Sequence, residues 1–227
     1  MTILGRGAVA IWHDIAPEGR EEFYAWHSRE HMPQRVGVPG FLRGRRFIAI
    51  DADLEFLIIY ETRSADVVRG PEYRASLNAP TPWTLATVKH FRSVARALTQ
   101  VAASLGTADG GIIATLRYDV ADDRMALEPV VMAERVLPGL CELPGVAGAH
   151  LLVADMEASG EVNAEQRARG AANAVPRCAL LIEGWGDEAS FIATVRQVVT
   201  PDRLWHPGAT GTLSLGFYRH QITLTAK

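Results

Sequence analysis

Lysine is nearly absent from this chain: Lys89 and Lys227 are the only two, and arginine supplies the rest of the 23 basic side chains. Against 26 acidic residues the net charge is −3, which excludes the basic excess that holds nucleic acid or an anionic membrane surface. Cysteine is scarce as well. Cys141 and Cys178 show no CxxC or zinc-type spacing, so free thiols in a reducing compartment are expected. No apolar run approaches the ~20 residues that a membrane-spanning helix needs, and the first residues lack a leader pattern. A cytoplasmic location is the expectation. A Gly-rich phosphate loop, a GxSxG nucleophile elbow and any haem or flavin signature are also missing, so neither a cofactor nor a metal is predicted.

What is present is enough apolar sequence for a core, 48% hydrophobic against 22% charged, and an internal repeat. Pro33 and Pro39-Gly40 recur 105 residues later as Pro138 and Pro144-Gly145. The apolar run 41–49 aligns at that offset with 146–154, whereas Gly7 and Gly111 match one residue out of step. A Trp in a Pro-flanked turn, Trp83 and Trp205, appears in each copy and reads as a plug for a barrel end.

In the first copy, strands are predicted at 8–13, 41–50, 54–61 and 88–98. A helix runs from Pro17 to about Met32, where Pro33 stops it, and a second helical region follows Ser64. The second copy repeats the order with strands at 112–120, 146–155, 178–185 and 212–224. The predicted architecture is α+β: two tandem ferredoxin-like β-α-β-β-α-β modules, 1–105 and 106–227. Residues 156–176, rich in Ala, Gly, Asn, Glu and Arg, read as an exposed, mobile insertion in the second module, with a short helix at 164–171. Such a module carries helices on one sheet face only, so the other face must be covered. A tandem copy supplies the cover, giving an intramolecular pseudo-dimeric barrel with cavities expected between the sheets and under the helix at the rim.

Tyr24, His27, His31 and Arg35 stand three and four apart, so they share one face of the first helix. Their counterparts in the second copy include Met132, Val136 and Leu140, an apolar stripe. A normally buried stripe made polar in one copy predicts one site per chain, because unpaired buried polar groups are costly. His31 is the candidate acid/base and His27 a second candidate; the plain alternative is that one of them anchors the helix end. Paired histidines at i, i+4 can hold a metal, but there is no HExxH motif and no third ligand by spacing, so none is expected. Arg45 and His150 occupy equivalent positions in otherwise apolar strands, where an arginine could bind a carboxylate or enolate. Trp12 and the Tyr60 hydroxyl complete the candidate substrate contacts with Tyr24 and His150.

One stretch carries a family resemblance: Trp26, Glu30-His31-Met32-Pro33, Pro39-Gly40-Phe41-Leu42, Gly44-Arg45-Arg46-Phe47 and later Asn78-Ala79-Pro80-Thr81-Pro82-Trp83-Thr84. It resembles the EthD-like branch of the dimeric α+β barrel superfamily across about residues 7–95; in the second half the likeness is mainly one of element order. The resemblance implies a small-molecule protein, from a group that spans monooxygenases, cyclases, isomerases and haem-dependent enzymes. The first reading is a cofactor-independent enzyme on a hydrophobic substrate, with His31 as acid/base and Arg45 with Tyr24 or Tyr60 steadying an oxyanion. The alternative is a non-catalytic ligand-binding or assembly module. The expected partner is a small molecule, with a homodimer left open.

Overall fold

The computed structural model describes residues 3–199 and 209–227. Among these residues are eight strands and ten short α-helices. In the first half these are β1 (Gly7–Ile15), α1 (Arg20–Trp26), α2 (Met32–Val36), β2 (Phe41–Asp51), β3 (Phe56–Thr62), α3 (Ala65–Arg69), α4 (Pro71–Asn78), α5 (Pro82–Thr87) and β4 (Phe91–Gly106). The second half has β5 (Ile112–Val120), α6 (Glu128–Val131), α7 (Leu137–Cys141), β6 (Val146–Ala154), α8 (Met156–Gly160), α9 (Ala164–Arg169), β7 (Cys178–Gly184), α10 (Glu188–Val198) and β8 (Ala209–Thr225).

The strands close into an antiparallel barrel in the order β4-β1-β3-β2-β8-β5-β7-β6. Each half contributes the same ferredoxin-like order, and the seams are β2 with β8 and β4 with β6. The pairing also settles the out-of-step glycines. Ala8 faces Glu61 as Ile113 faces Glu183, so the first strands correspond at an offset of 105, like the rest of the repeat.

Strand alternation sends one set of side chains inward. Trp12, Phe47, Leu57, Ile113, Leu181 and Tyr218 meet there in one buried cluster drawn from six strands, with Val101 and Leu152 completing it. Eight strands leave a lumen just wide enough for side chains to fill. The expected space between the sheets is therefore packed, and a cleft lies beneath the rim helix.

The first helix differs from expectation in an informative way. It does not stop at Pro33. Between α1 and α2 the backbone widens into a π turn, His27–His31, in which the Met32 amide donates to the His27 carbonyl five residues back. Proline lacks an amide and its ring crowds the carbonyl four residues earlier. A wider turn displaces that clash and lets the helix run on to Val36. The second half repeats the device at Met132–Val136, directly before Pro138.

The insertion is also more ordered than its composition suggests. Asp155 caps α8 by accepting from the Ala158 amide at 3.1 Å, and Asn163 caps α9 by accepting from the Gln166 amide at 2.9 Å. Gly170 ends α9 in the left-handed conformation, φ 78°. Beyond it, the Arg96 amide donates to the Ala174 carbonyl and the Ala174 amide to the Val94 carbonyl, both at 2.9 Å, so the segment is stitched along β4 of the first half. Trp83 lies in α5 and donates to Glu22 of α1, bracing helix on helix instead of plugging a barrel end. Trp205 lies outside the described residues. Cys178 is buried, Cys141 is half-buried, and both are free thiols. No helix among the described residues is long and apolar enough to cross a membrane.

Candidate functional site

A cleft opens between the outer face of the first half's sheet and the layer of α1, the π turn, α4 and α9. Its floor is apolar: Ile11, Ile58, Val88, Phe91 and Val94. Its walls carry Trp26, His27, His31 and Arg35 from the first helix, Tyr60 and Tyr73, and Arg96 from β4. The fourth side is the insertion of the second half, through Asn163, Glu165, Gln166, Arg169 and Asn173. About 60 Å³ is open to the centre of a water-sized sphere, room for several waters or a small ligand fragment at ~10–15 Å³ for each water.

The π turn decides which residues face this space. A turn wider than 3.6 residues brings Trp26 and His27 onto the face of His31 and Arg35, and rotates Tyr24 off it. Tyr24 instead accepts from Gln221 at 3.2 Å on the barrel's outside, with the Arg46 guanidinium 4.9 Å above its ring.

His27 and Tyr60 form a relay with a fixed direction. Arg46 Nη1 lies 3.2 Å from His27 Nδ1, and Tyr60 Oη lies 3.2 Å from His27 Nε2. A guanidinium can only donate, so Nδ1 must accept and the ring proton sits on Nε2. His27 Nε2–H then donates to Tyr60, which frees the phenolic proton to point into the cleft. Burial, and next the nearby Arg46 charge, hold the His27 pKa well below its usual value. His27 is thus neutral, with both ring nitrogens engaged by Arg46 and Tyr60. Gly44 makes room for this arrangement: a β-carbon there would lie 3.0 Å from the Tyr60 ring.

His31 is placed differently. Its ring packs on Trp26 with centroids 4.2 Å apart, and its Nδ1 is buried without a hydrogen-bond partner among the described residues. Burial, then Arg35 and His27, depress its pKa well below 6.5, so it is a neutral acceptor at pH 7. Arg35 is held by Ser76 and by an ion pair with Glu165 of α9, reaching across from the second half.

The remaining predicted residues lie elsewhere. Arg45 alternates into the lumen, where its Nε is 2.9 Å from Glu61 and its Nη1 is 2.7 Å from Glu183. The carboxylates it binds are the chain's own. His150 stands at the same end of the barrel with Ser104 Oγ at 2.8 Å from Nδ1, and burial drives its pKa down to about 3. Trp12 also points inward and donates to Thr115 at 3.1 Å. The sequence reading preferred Arg45 to Arg46 because Arg45 has a polar counterpart in His150. Alternation puts Arg46, not Arg45, on the helix-covered face beside His27. Tyr73, Arg96, Glu165 and Arg169 were also missed, although the helix that carries Glu165 and Arg169 was expected at 164–171 and is found at Ala164–Arg169.

Among the described residues no three potential ligands converge on a metal-sized point. A haem, which the family resemblance brings into view, needs several hundred Å³. The open space is far smaller, and of the two histidines that line it His27 has both ring nitrogens engaged while His31 packs on Trp26 with its ring tilted by 35°. The group does not fit this arrangement.

No family model matches the chain, and no curated protein matches its sequence. Solved structures match its shape. An anthrone oxidase-like protein aligns with TM-score 0.61 at 14% identity, covering 97% of this chain and 93% of that one. A candidate monooxygenase from Lactobacillus acidophilus aligns with TM-score 0.56 at 10% identity, covering 98% and 97%. A candidate chlorite dismutase gives 0.55 at 8% identity, covering 96% and 95%. Identity this low carries the fold and no more. The chain shares with these structures an α+β fold built on a closed eight-stranded antiparallel barrel, with both halves of the barrel in one polypeptide.

Proposed function

We propose that this chain is a tandem repeat of an EthD-like module and a small-molecule enzyme that acts on a hydrophobic, enolisable or phenolic substrate in the cleft of its first half. The carrying observation is the placement of His31 Nδ1, buried and unpartnered, in the same cleft as the Tyr60 hydroxyl. His31 would take a proton from substrate carbon or oxygen, and Tyr60 O–H would donate to the oxygen that becomes negative. Proton transfer to a desolvated imidazole is costly by itself. The enolate formed beside it offsets that cost as an ion pair, and Arg35 adds a fixed positive charge. Isomerisation, cyclisation and oxygenation share this first step. The names of the structural neighbours favour oxygenation, with dioxygen as co-reactant and the net change CH2 + O2 → C=O + H2O.

The test is oxygen uptake with 1,8-dihydroxyanthrone, whose C10 methylene is acidic. Wild-type protein accelerates uptake above the uncatalysed rate, and His31→Ala and Tyr60→Phe each lower it by about 10²-fold or more. Equal rates for all three proteins would remove the catalytic reading. One observation favours the second reading, a binding module: the strongly depressed basicity of His31 makes it a weak proton acceptor. Saturable binding of the anthrone without oxygen uptake is its signature.

A further inference from the structure

The charges around the cleft do not balance. Arg35, Arg96 and Arg169 line it, and Glu165 is the one carboxylate among its lining residues. Glu165 is committed to Arg35. Arg96 is buried and donates a 3.1 Å hydrogen bond to the neutral hydroxyl of Tyr73. Arg169 donates to the Ala171 carbonyl at 2.8 Å and to the Asn173 amide oxygen, while its buried Nε has no partner. Neither has a carboxylate within ion-pair distance among the described residues. The strand-like stitching of Ala174 to β4 holds the end of the insertion beside Arg96, and the Arg96 and Arg169 guanidiniums line the same cleft, where each charge opposes the other. Like charges held close in a low-dielectric wall repel each other, and a bound anion relieves both.

Building on the enzyme reading above, we infer that the ligand of this cleft is a carboxylate-bearing aromatic molecule, its carboxylate seated between Arg96 and Arg169 and one ring edge on the apolar floor, the rest of it lying in the open mouth of the cleft. Planar guanidiniums suit a carboxylate, which each can grip with two parallel hydrogen bonds. That edge then lies along Ile11, Ile58, Val88 and Phe91, toward Tyr60 and His31. Glu165 stands where a second carboxylate oxygen could compete for Arg35, so it acts as the chain's own stand-in for the ligand anion.

The experiment is calorimetric titration of the full chain with 2-naphthoate and its neutral isostere 2-naphthamide, repeated at two salt concentrations. Naphthoate binds at least tenfold tighter than the amide. Arg96→Gln and Arg169→Gln each remove that preference and leave amide affinity within twofold, and Arg169→Lys restores part of it. Glu165→Gln raises naphthoate affinity severalfold. Equal affinity for acid and amide, or a preference that survives the Arg96→Gln/Arg169→Gln double variant, overturns the anion assignment while leaving the cleft as a binding site. If neither probe binds but the anthrone is still oxidised, the anion assignment fails and the enzyme reading stands. If neither probe binds and the anthrone is inert, both fall.

Discussion

The two halves of the barrel carry the same backbone devices and opposite chemistry. At matching positions His27 meets Met132, His31 meets Val136, Arg35 meets Leu140 and Arg46 meets Leu151. Following the strand registers outward, Tyr60 corresponds to Ile182, and Arg96 opposite Ile11 corresponds to Leu215 opposite Leu116. Each polar group around the first cleft that has a counterpart here is apolar in the second half. There Met132, Leu140, Phe191 and Val195 close into one core cluster. Phe191 fits because a β-carbon on Gly184 would lie only 2.2 Å from its ring, so glycine is needed there. The β2–β3 turn of the first half is short, whereas the β6–β7 connection of the second half is long and crosses onto β4. The half whose matching face is apolar supplies the cover for the half with the polar cleft.

This comparison can be broken most severely through the lumen, which both halves share. Arg45→Leu leaves Glu183 without its cation in a buried site, while Glu61 keeps Arg43, and should cost ~3–5 kcal/mol in chemical denaturation. It should do so without changing the preference for acid over amide, because Arg45 is not part of the cleft. Next is the strap between halves. Arg35→Leu leaves Glu165 without its partner and should cost roughly 2–3 kcal/mol. Arg35→Leu with Glu165→Leu, which imports the apolar character of the second half, should recover most of that loss. A double variant as unstable as the single one would mean that the ion pair does not couple the halves.

Acid exposes a third difference. His13 is boxed by Phe23, Phe56 and Phe91, and burial lowers its pKa to about 3. The unfolded chain binds a proton at His13 below about pH 6.5 and the folded chain does not, so stability falls as pH drops from 6.5 toward 3. At pH 5 this one group removes about 2 kcal/mol. His13→Phe should flatten the decline by that amount in melts between pH 7 and 5, and an unchanged decline would refute the buried neutral state. Smallest is Tyr60→Phe, which strips the acceptor from His27 Nε2 and should cost ~1 kcal/mol of stability, far less than its effect on turnover.

The fold was legible because it rests on signals with strong physical causes. Alternation in β1 and β5, the Pro-Gly turns and the repeat at 105 residues place the strands, and a one-faced sheet demands a partner. The polar stripe was legible for the same reason, since His27, His31 and Arg35 replace an apolar counterpart. Two features were not. A proline in a helical run reads as a stop, and nothing local in His27 to Pro33 announces that a π turn will absorb it and exchange Tyr24 for Trp26. The insertion reads as solvent-exposed because its polar residues are satisfied by groups far away in sequence: Glu165 by Arg35, and Ala174 by the β4 backbone. Arg45 and Arg46 show the limit most sharply. Neighbours in sequence, they point to opposite sides of one strand, and only the barrel shows which side holds the cleft.

The central claim is that ligand enters one half only, under the π turn of the first half and the insertion of the second. Hydrogen exchange with and without saturating 2-naphthoate tests it directly. The account predicts slowed exchange at residues 27–36 and 163–174, with residues 132–141 unchanged. Equal protection of 27–36 and 132–141, or protection confined to the lumen strands, would contradict it.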